Sequence, residues 1–168
     1  MKKVLFIIVP NFRDVEYFAP RKAIESAGAE VITASFNQGK VNGVEGGEAT
    51  ADLSLSEVKA EDYDAIAFIG GQGMISHVGD QALINLAKTF FQAGKITAAI
   101  CIAPMILAKA GILANKKATV CEGKESDLEN LGAIFSGENI TVDGNIITAN
   151  GPSAAEEFGK NIIKLLAS

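Results

Sequence analysis

The sequence predicts an α/β fold whose central sheet is mostly parallel and is covered by helices on both faces. Short apolar runs alternate with longer segments of helical spacing along the 168 residues. The runs at 4–9, 65–69 and 96–100 contain almost no polar side chain, which is typical of strands buried on both faces. No internal repeat or linker interrupts this alternation, so we predict a single domain over residues 1–168.

Turn and cap residues divide the rest of the chain. Asp14 is predicted to cap a helix over 15–27 that ends at Gly28. The glycine-rich stretch 37–51 predicts a loop or a small hairpin, and Asp143-Gly144-Asn145 predicts a tight hairpin turn. The other predicted elements are strands at 30–36, 118–120, 140–142 and 146–148 and helices at 80–93, 105–110, 126–131 and 153–166.

Composition argues against several classes of function. The net charge is −5 and no basic cluster occurs, so nucleic acid is not an expected partner. No stretch approaches the length of a membrane span, and two cysteines are too few for a disulfide scaffold, so we expect a cytoplasmic protein. A single histidine and two distant cysteines make a poor metal set, so no metal or cofactor is expected. The apolar fraction of 48% predicts that a partner subunit covers part of the surface.

Cys101 has the sequence context of a nucleophile elbow. An apolar run ends at Cys101, and Pro104 follows in the first turn of the helix predicted at 105–110. The unpaired N–H groups at a helix N-terminus favour a thiolate, the reactive form of cysteine. A cysteine beside a strand is more often an ordinary small buried residue. The sharp turn predicted at Cys101 favours a reactive thiol over an ordinary buried cysteine.

Other candidate residues follow two further buried strands, so they are predicted to reach the same edge of the sheet as Cys101. Glu16 lies in the first turn of a helix, where the helix dipole alone explains an acid, but its carboxyl group could also serve the thiol as acid or base. Gly70 and Gly71 allow a tight turn, and the N–H groups of Gly71 and Ile102 could form an oxyanion hole. A plain strand–loop turn explains the glycines equally well.

Three further features of the sequence bear on its chemistry. Cys121 follows a short predicted strand and is either a half-buried thiol or a redox or pocket partner of Cys101. His77 lies in a polar loop, where a surface role is the default. The stretch 71–76 nearly matches a dinucleotide-binding fingerprint, but Ser76 stands where the third glycine is required.

Taken together, these motifs resemble those of the DJ-1/PfpI superfamily, also called ThiJ/PfpI, over nearly the whole chain. The matching pieces are Lys3 to Phe6, Asp14-Val15-Glu16, Asp64 to Gly71, Ala99-Ile100-Cys101 with Pro104, and Asp143 to Pro152. The resemblance implies a flavodoxin-like three-layer sandwich, a homodimer or higher oligomer, and an acidic thiol held by a glutamate. Carried over, Cys101 is the nucleophile, Glu16 its carboxyl partner, and Gly71 and Ile102 the oxyanion donors.

Departures from the family pattern bear on the reaction. The protease-like branch has histidine directly after the cysteine, where this chain has Ile102, and a neighbouring subunit's glutamate at the position that aligns with Ile75. Peptidase activity is therefore not expected. The segment 148–153 resembles the DJ-1-like branch, which we expect to be the nearer one. That branch carries a pocket histidine where this chain has Cys121.

The sequence leaves three functions open. In the first, Cys101 adds to a small reactive aldehyde such as methylglyoxal, or to a glycated adduct, and Glu16 shuttles the proton in a glyoxalase or deglycase reaction. In the second, the protein is an oxidative-stress sensor with a chaperone-like surface, Cys101 is oxidised to a sulfinic acid held by Glu16, and Cys121 tunes the oxidation. In the third, a degenerate member of the family binds a ligand or partner without chemistry.

Overall fold

A seven-stranded sheet forms the middle layer of the computed structural model, which describes residues 1–168. The strands are β1 (Lys3–Ile7), β2 (Glu30–Ser35), β3 (Gly39–Asn42), β4 (Glu48–Ala51), β5 (Leu53–Ser54), β6 (Ala65–Phe68), β7 (Ile96–Ile100), β8 (Lys117–Ala118), β9 (Ile134–Phe135), β10 (Ile140–Asp143) and β11 (Ile146–Ala149). The helices are α1 (Asp14–Ser26), α2 (Gln81–Gln92), α3 (Pro104–Lys109), α4 (Glu125–Asn130) and α5 (Ala155–Leu166). No helix combines the length and apolar character needed to cross a membrane.

The sheet has the order β10-β11-β7-β6-β1-β2-β5, and all of its neighbouring strands are parallel except the β10–β11 hairpin. The carboxyl ends of β1, β6 and β7 therefore meet at one edge, as the sequence predicts. The glycine-rich stretch forms its own two-stranded sheet, β3–β4, and β8 pairs with β9 in another. This arrangement is the flavodoxin-like sandwich that the motifs imply.

The two faces of the sheet bury separate apolar clusters of 27 and 23 residues. Successive residues of β1 enter opposite clusters, Leu5 one and Phe6 the other, because side chains alternate along a strand. Helices α2 and α3 cover the Leu5 face, whereas α1 and α5 cover the Phe6 face. This explains why the strand sequences are apolar without alternation.

The predicted cap of α1 is wrong. Asp14 is the first residue of the helix, its neighbour Arg13 occupies the cap position, and no side chain caps the helix end. The Asp14 carboxylate instead accepts the N–H groups of Glu45 and Gly47, at 3.0 and 2.7 Å. It therefore ties α1 to the β3–β4 turn, a long-range contact that local capping rules do not anticipate.

Close packing of α1 against α5 predicts whether one substitution raises or lowers the free energy of unfolding. In Gly159→Ala, the new Cβ would lie 2.7 Å from Pro20 Cα and 2.9 Å from Pro20 O on α1. Helix propensity alone favours alanine by about 1 kcal/mol. We expect the packing clash to outweigh this gain and to lower the free energy of unfolding by about 1–3 kcal/mol in urea titrations. Gly79→Ala, whose Cβ would meet nothing within 4 Å, is the matched control. A stabilised Gly159→Ala would contradict this account of the contact.

Candidate active site

Cys101 occupies the sharp turn that the elbow pattern predicts. It follows β7 directly and has φ 66°, in the left-handed region that side chains other than glycine rarely adopt. Its N–H donates to Ala149 O at 2.9 Å, and its carbonyl oxygen accepts the N–H of Cys121 at 2.8 Å. The predicted helix follows with Pro104 as its first residue. Bonds on both sides thus hold the strained residue in place.

Glu16 and Cys101 meet over Gly70. A Cβ built on Gly70 would lie 2.6 Å from Glu16 Oε1, 2.7 Å from Cys101 Cβ and 2.7 Å from Ile100 O. Any side chain there would push the carboxyl group and the thiol apart. Gly70 therefore serves the site by its lack of a side chain, although it does not line the cavity described below.

The Glu16 side chain is fully buried, and neither of its oxygens has a hydrogen-bond partner of ordinary geometry. Burial, followed by the negative charge and hydrogen bonding of Cys101, raises the pKa of Glu16 from 4.5 to about 9. Nearby Arg13 and a Gly70 backbone hydrogen bond act in the opposite direction but do not offset this. At neutral pH the group is therefore an uncharged carboxylic acid beside the sulfur, able to donate a proton.

The Cys101 and Cys121 side chains influence each other's pKa in opposite directions. The hydrogen bond from Cys101 lowers the pKa of Cys121. The hydrogen bond to Cys121, burial and the charge on Cys121 raise the pKa of Cys101, whereas Glu16 and the Ile102 N–H lower it. The sequence predicts an acidic Cys101 thiol stabilised by a helix end. In the structure the neighbouring Cys121 and burial raise the pKa of Cys101 instead.

Two backbone N–H groups at the site have no carbonyl acceptor. Neither Gly71 N–H nor Ile102 N–H donates to a backbone oxygen, and the Ile102 N–H interacts with the Cys101 sulfur. Gly71 has φ 120°, and a Cβ there would lie 2.2 Å from Arg13 N, so this position needs glycine. Both residues face the same cavity as the sulfur, which is the arrangement expected of oxyanion donors.

A cavity of about 380 Å³ brings these groups together. Its lining includes Glu16, Cys101, Cys121, Gly71 and Ile102. A larger groove of about 790 Å³ lies between α1 and β4 and contains none of the predicted residues. The larger volume therefore does not mark the position of the candidate active site.

The remaining residues of interest lie either at the wall of this cavity or outside it. Ile75 lines the cavity of its own chain, although it aligns with a position that a neighbouring subunit supplies in the protease-like branch. His77 does not, because its Nδ1 lies 2.7 Å from Asp80 Oδ2. Sequence reasoning missed the cations at the cavity wall, Arg13 and Lys124. Arg13 could have been found from its position shortly before Glu16, whereas nothing in the sequence marks Lys124. No three side chains of metal-ligating type cluster anywhere.

The buried carboxyl group predicts how stability depends on pH. The folded protein retains the Glu16 proton above pH 4.5, whereas the unfolded chain loses it. The contribution of Glu16 to the free energy of unfolding is therefore complete below its unfolded pKa and declines as the pH approaches 9. We expect wild type to lose stability relative to Glu16→Gln between about pH 5 and about pH 8 in urea titrations. Glu25→Gln, which removes an exposed carboxyl from the same helix, is the control. A constant difference would mean that Glu16 ionises normally.

Comparison with known proteins shows the family and the fold of this chain. The family model described as the DJ-1/PfpI family matches residues 2–165. The deglycase PfpI of Pyrococcus furiosus is 32% identical, over 98% of this chain and 99% of that protein. The crystal structure of a ThiJ/PfpI domain protein from Brachyspira murdochii superposes with a TM-score of 0.96 at 37% identity, covering 98% of this chain and 96% of that one.

Drosophila melanogaster DJ-1beta superposes with a TM-score of 0.89 at 30% identity, covering 99% of this chain and 90% of that one. Proteins of both branches thus match at similar identity. A nearer relation to the DJ-1-like branch stays a prediction based on Ile102 and the segment 148–153. The match over residues 2–165, the superposed fold and the geometry around Cys101 agree that this chain belongs to the DJ-1/PfpI family.

Proposed function

We propose that this protein is a cysteine-dependent deglycase with glyoxalase-type chemistry, acting on small reactive aldehydes and on their adducts with amines. The observation that supports this most is the uncharged, fully buried Glu16 carboxyl beside the Cys101 sulfur, facing the cavity that also has two N–H groups without a carbonyl acceptor. A nucleophile, a proton donor and an oxyanion site are the three parts that addition to a carbonyl needs. Family members that match the whole chain are named deglycases, which agrees with the proposal.

The first step forms a carbon–sulfur bond. Cys121, whose pKa is lowered, accepts the Cys101 proton as the Cys101 sulfur adds to the aldehyde carbon of methylglyoxal. The carbonyl oxygen takes the Glu16 proton and lies at the Gly71 and Ile102 N–H groups, giving a hemithioacetal. With a glycated amine, the sulfur displaces the amine instead. The amine leaves with the Glu16 proton, and the same hemithioacetal forms.

The next steps release the product. Glu16, now a carboxylate, carries a proton from the first substrate carbon to the second, and the hydroxyl proton of the first carbon moves to the oxygen of the second. The hemithioacetal thereby becomes a hydroxyacyl thioester. Water then cleaves the carbon–sulfur bond and yields lactic acid and the Cys101 thiol, and Cys121 passes its proton on to Glu16. The sum is methylglyoxal plus water to lactate and a proton, or adduct plus water to amine, lactate and a proton. No external oxidant or reductant is needed.

The side chain of Ile102 accounts for the expected limit on substrate size. It is 4% exposed and forms part of the cavity wall next to the nucleophile. A three-carbon aldehyde fits this space better than a bulky one. A peptide bond is not an expected substrate, because no histidine lies beside Cys101 to activate it for that reaction.

Loss of either reacting group tests the proposal. We expect Cys101→Ser to lower kcat/KM for methylglyoxal by on the order of 1,000-fold, because serine is a far weaker nucleophile in this site. Glu16→Gln should lower it about 100-fold through loss of proton transfer. Lactate formation is the measurement, and Glu25→Gln is the matched control on the same helix. Full turnover by Cys101→Ser would refute the proposal.

Opening the pocket should change substrate preference. Ile102→Ala keeps the backbone N–H but removes most of the side chain from the cavity wall. We expect the ratio of kcat/KM for phenylglyoxal to that for methylglyoxal to rise about 10-fold. The ratio compares two substrates on one protein sample, so partial unfolding of the variant does not affect it. An unchanged ratio would mean that Ile102 does not limit substrate size.

A further inference from the structure

Cys121 is a second sulfur in the cavity, although the proposed reaction needs only one nucleophile. Both cysteines line the same 380 Å³ space and neither is in a disulfide. Both are partly exposed, so a small solute can reach either sulfur. This juxtaposition suggests chemistry between the two sulfurs as well as with a substrate.

The backbone holds the two cysteines side by side. The Cys121 N–H donates to Cys101 O at 2.8 Å. Residues joined in this way on neighbouring segments have Cα atoms about 5 Å apart, within the range that a disulfide spans. Each segment is also tied to β11, because Cys101 N–H donates to Ala149 O and Thr119 N–H to Thr148 Oγ1, both at 2.9 Å. Closing a bond between the sulfurs therefore requires no large movement of the chain.

We propose that Cys101 and Cys121 form a redox-active dithiol that reduces a hydroperoxide and closes into an intramolecular disulfide. In the first step the Cys101 sulfur attacks the terminal peroxide oxygen, the O–O bond breaks, and Cys101 sulfenic acid and an alcohol (water, if the oxidant is hydrogen peroxide) result. In the second, the Cys121 sulfur attacks the Cys101 sulfur. The S–O bond breaks and water leaves. Two thiols are oxidised by two electrons, and one hydroperoxide is reduced.

The surroundings of the two sulfurs favour the second step. The hydrogen bond from Cys101 lowers the pKa of Cys121, and the positive charge of Lys124 contributes in the same direction, so this sulfur is the better attacking thiolate. Glu16 is uncharged at neutral pH and can give its proton to the departing hydroxide. The same groups that support carbonyl chemistry thus also support sulfenic acid resolution.

The alternative fate of Cys101 is a sulfinic acid, which forms when a second hydroperoxide reacts with the sulfenic acid. A thiol held next to the sulfenic acid acts at a very high effective concentration, whereas a second oxidant must arrive from solution. We therefore expect the disulfide to form first and to protect Cys101 from irreversible oxidation. The disulfide would also occupy the nucleophile and stop the deglycase reaction, a consequence that rests on the proposed function.

Peptide mapping tests the proposal directly. The full-length protein is treated with equimolar hydrogen peroxide, blocked with an alkylating agent in denaturant and digested with trypsin. Cleavage after lysine separates the two cysteines into the peptides 96–109 and 118–124. We expect these peptides to be joined without reductant and separate after dithiothreitol, in protein that remains uncrosslinked between chains.

Two variants sharpen the outcome. With Cys121→Ser and two equivalents of peroxide, one for each oxygen added, we expect Cys101 to gain two oxygens as a sulfinic acid that dithiothreitol does not reduce. With Cys101→Ser, no disulfide can form within the chain, and we expect dithiothreitol to return Cys121 as a free thiol after equimolar peroxide. The wild-type result needs no variant, so misfolding of either variant cannot obscure it.

Three results would overturn the proposal. They are a wild-type Cys101 sulfinic acid with free Cys121, a disulfide only between chains, and no oxidation of either cysteine at equimolar peroxide. The readout is the mass of the protein and not its turnover. Failure of this proposal is therefore distinguishable from failure of the proposed deglycase activity.

Discussion

The left-handed backbone of Cys101 is the constraint on which the site depends. A residue with a side chain in this conformation costs about 1–2 kcal/mol relative to the ordinary regions. The surrounding structure meets that cost through bonds to Ala149 on one side and Cys121 on the other, at the end of a fully buried strand. The turn directs the sulfur out of the sheet layer and leaves the next N–H without a carbonyl acceptor. Nucleophile and oxyanion donor thus both result from one strained residue.

The second constraint is the absence of side chains opposite the elbow. Gly70 lets the Glu16 carboxyl approach the cysteine, and Gly71 takes a positive φ against Arg13 N. The carboxyl group reaches this space from α1, which is tied to the β3–β4 turn through Asp14 and to α5 through the contact of Gly159 with Pro20. Burial without a partner then keeps the acid uncharged. Because burial raises the pKa of Glu16, the carboxyl group keeps a proton that it can donate at neutral pH.

Both departures from the family pattern remove a histidine from the neighbourhood of Cys101. Ile102 and Cys121 occupy the positions where the two branches have histidines, so no imidazole faces the nucleophile. In the proposed reactions, the Cys121 sulfur accepts the proton that a histidine would otherwise take. The same sulfur attacks an oxidised Cys101 to form the disulfide. A thiol can do both, whereas an imidazole can do only the first. One substitution at the cavity wall thereby connects carbonyl chemistry with the redox state of the site.

The sequence by itself determined the parallel sheet, the edge where its strands end and the identity of Cys101, Glu16 and Gly71 as candidates. It could do so because apolar runs, turn glycines and the proline after the elbow are local signals. It was wrong about Asp14, whose carboxylate bonds a loop distant in sequence, and it gave no sign of Lys124. Only the tertiary structure decided that the two cysteines shift each other's pKa and that Glu16 holds its proton. Burial and long-range contacts set these pKa values, and a local sequence pattern contains neither.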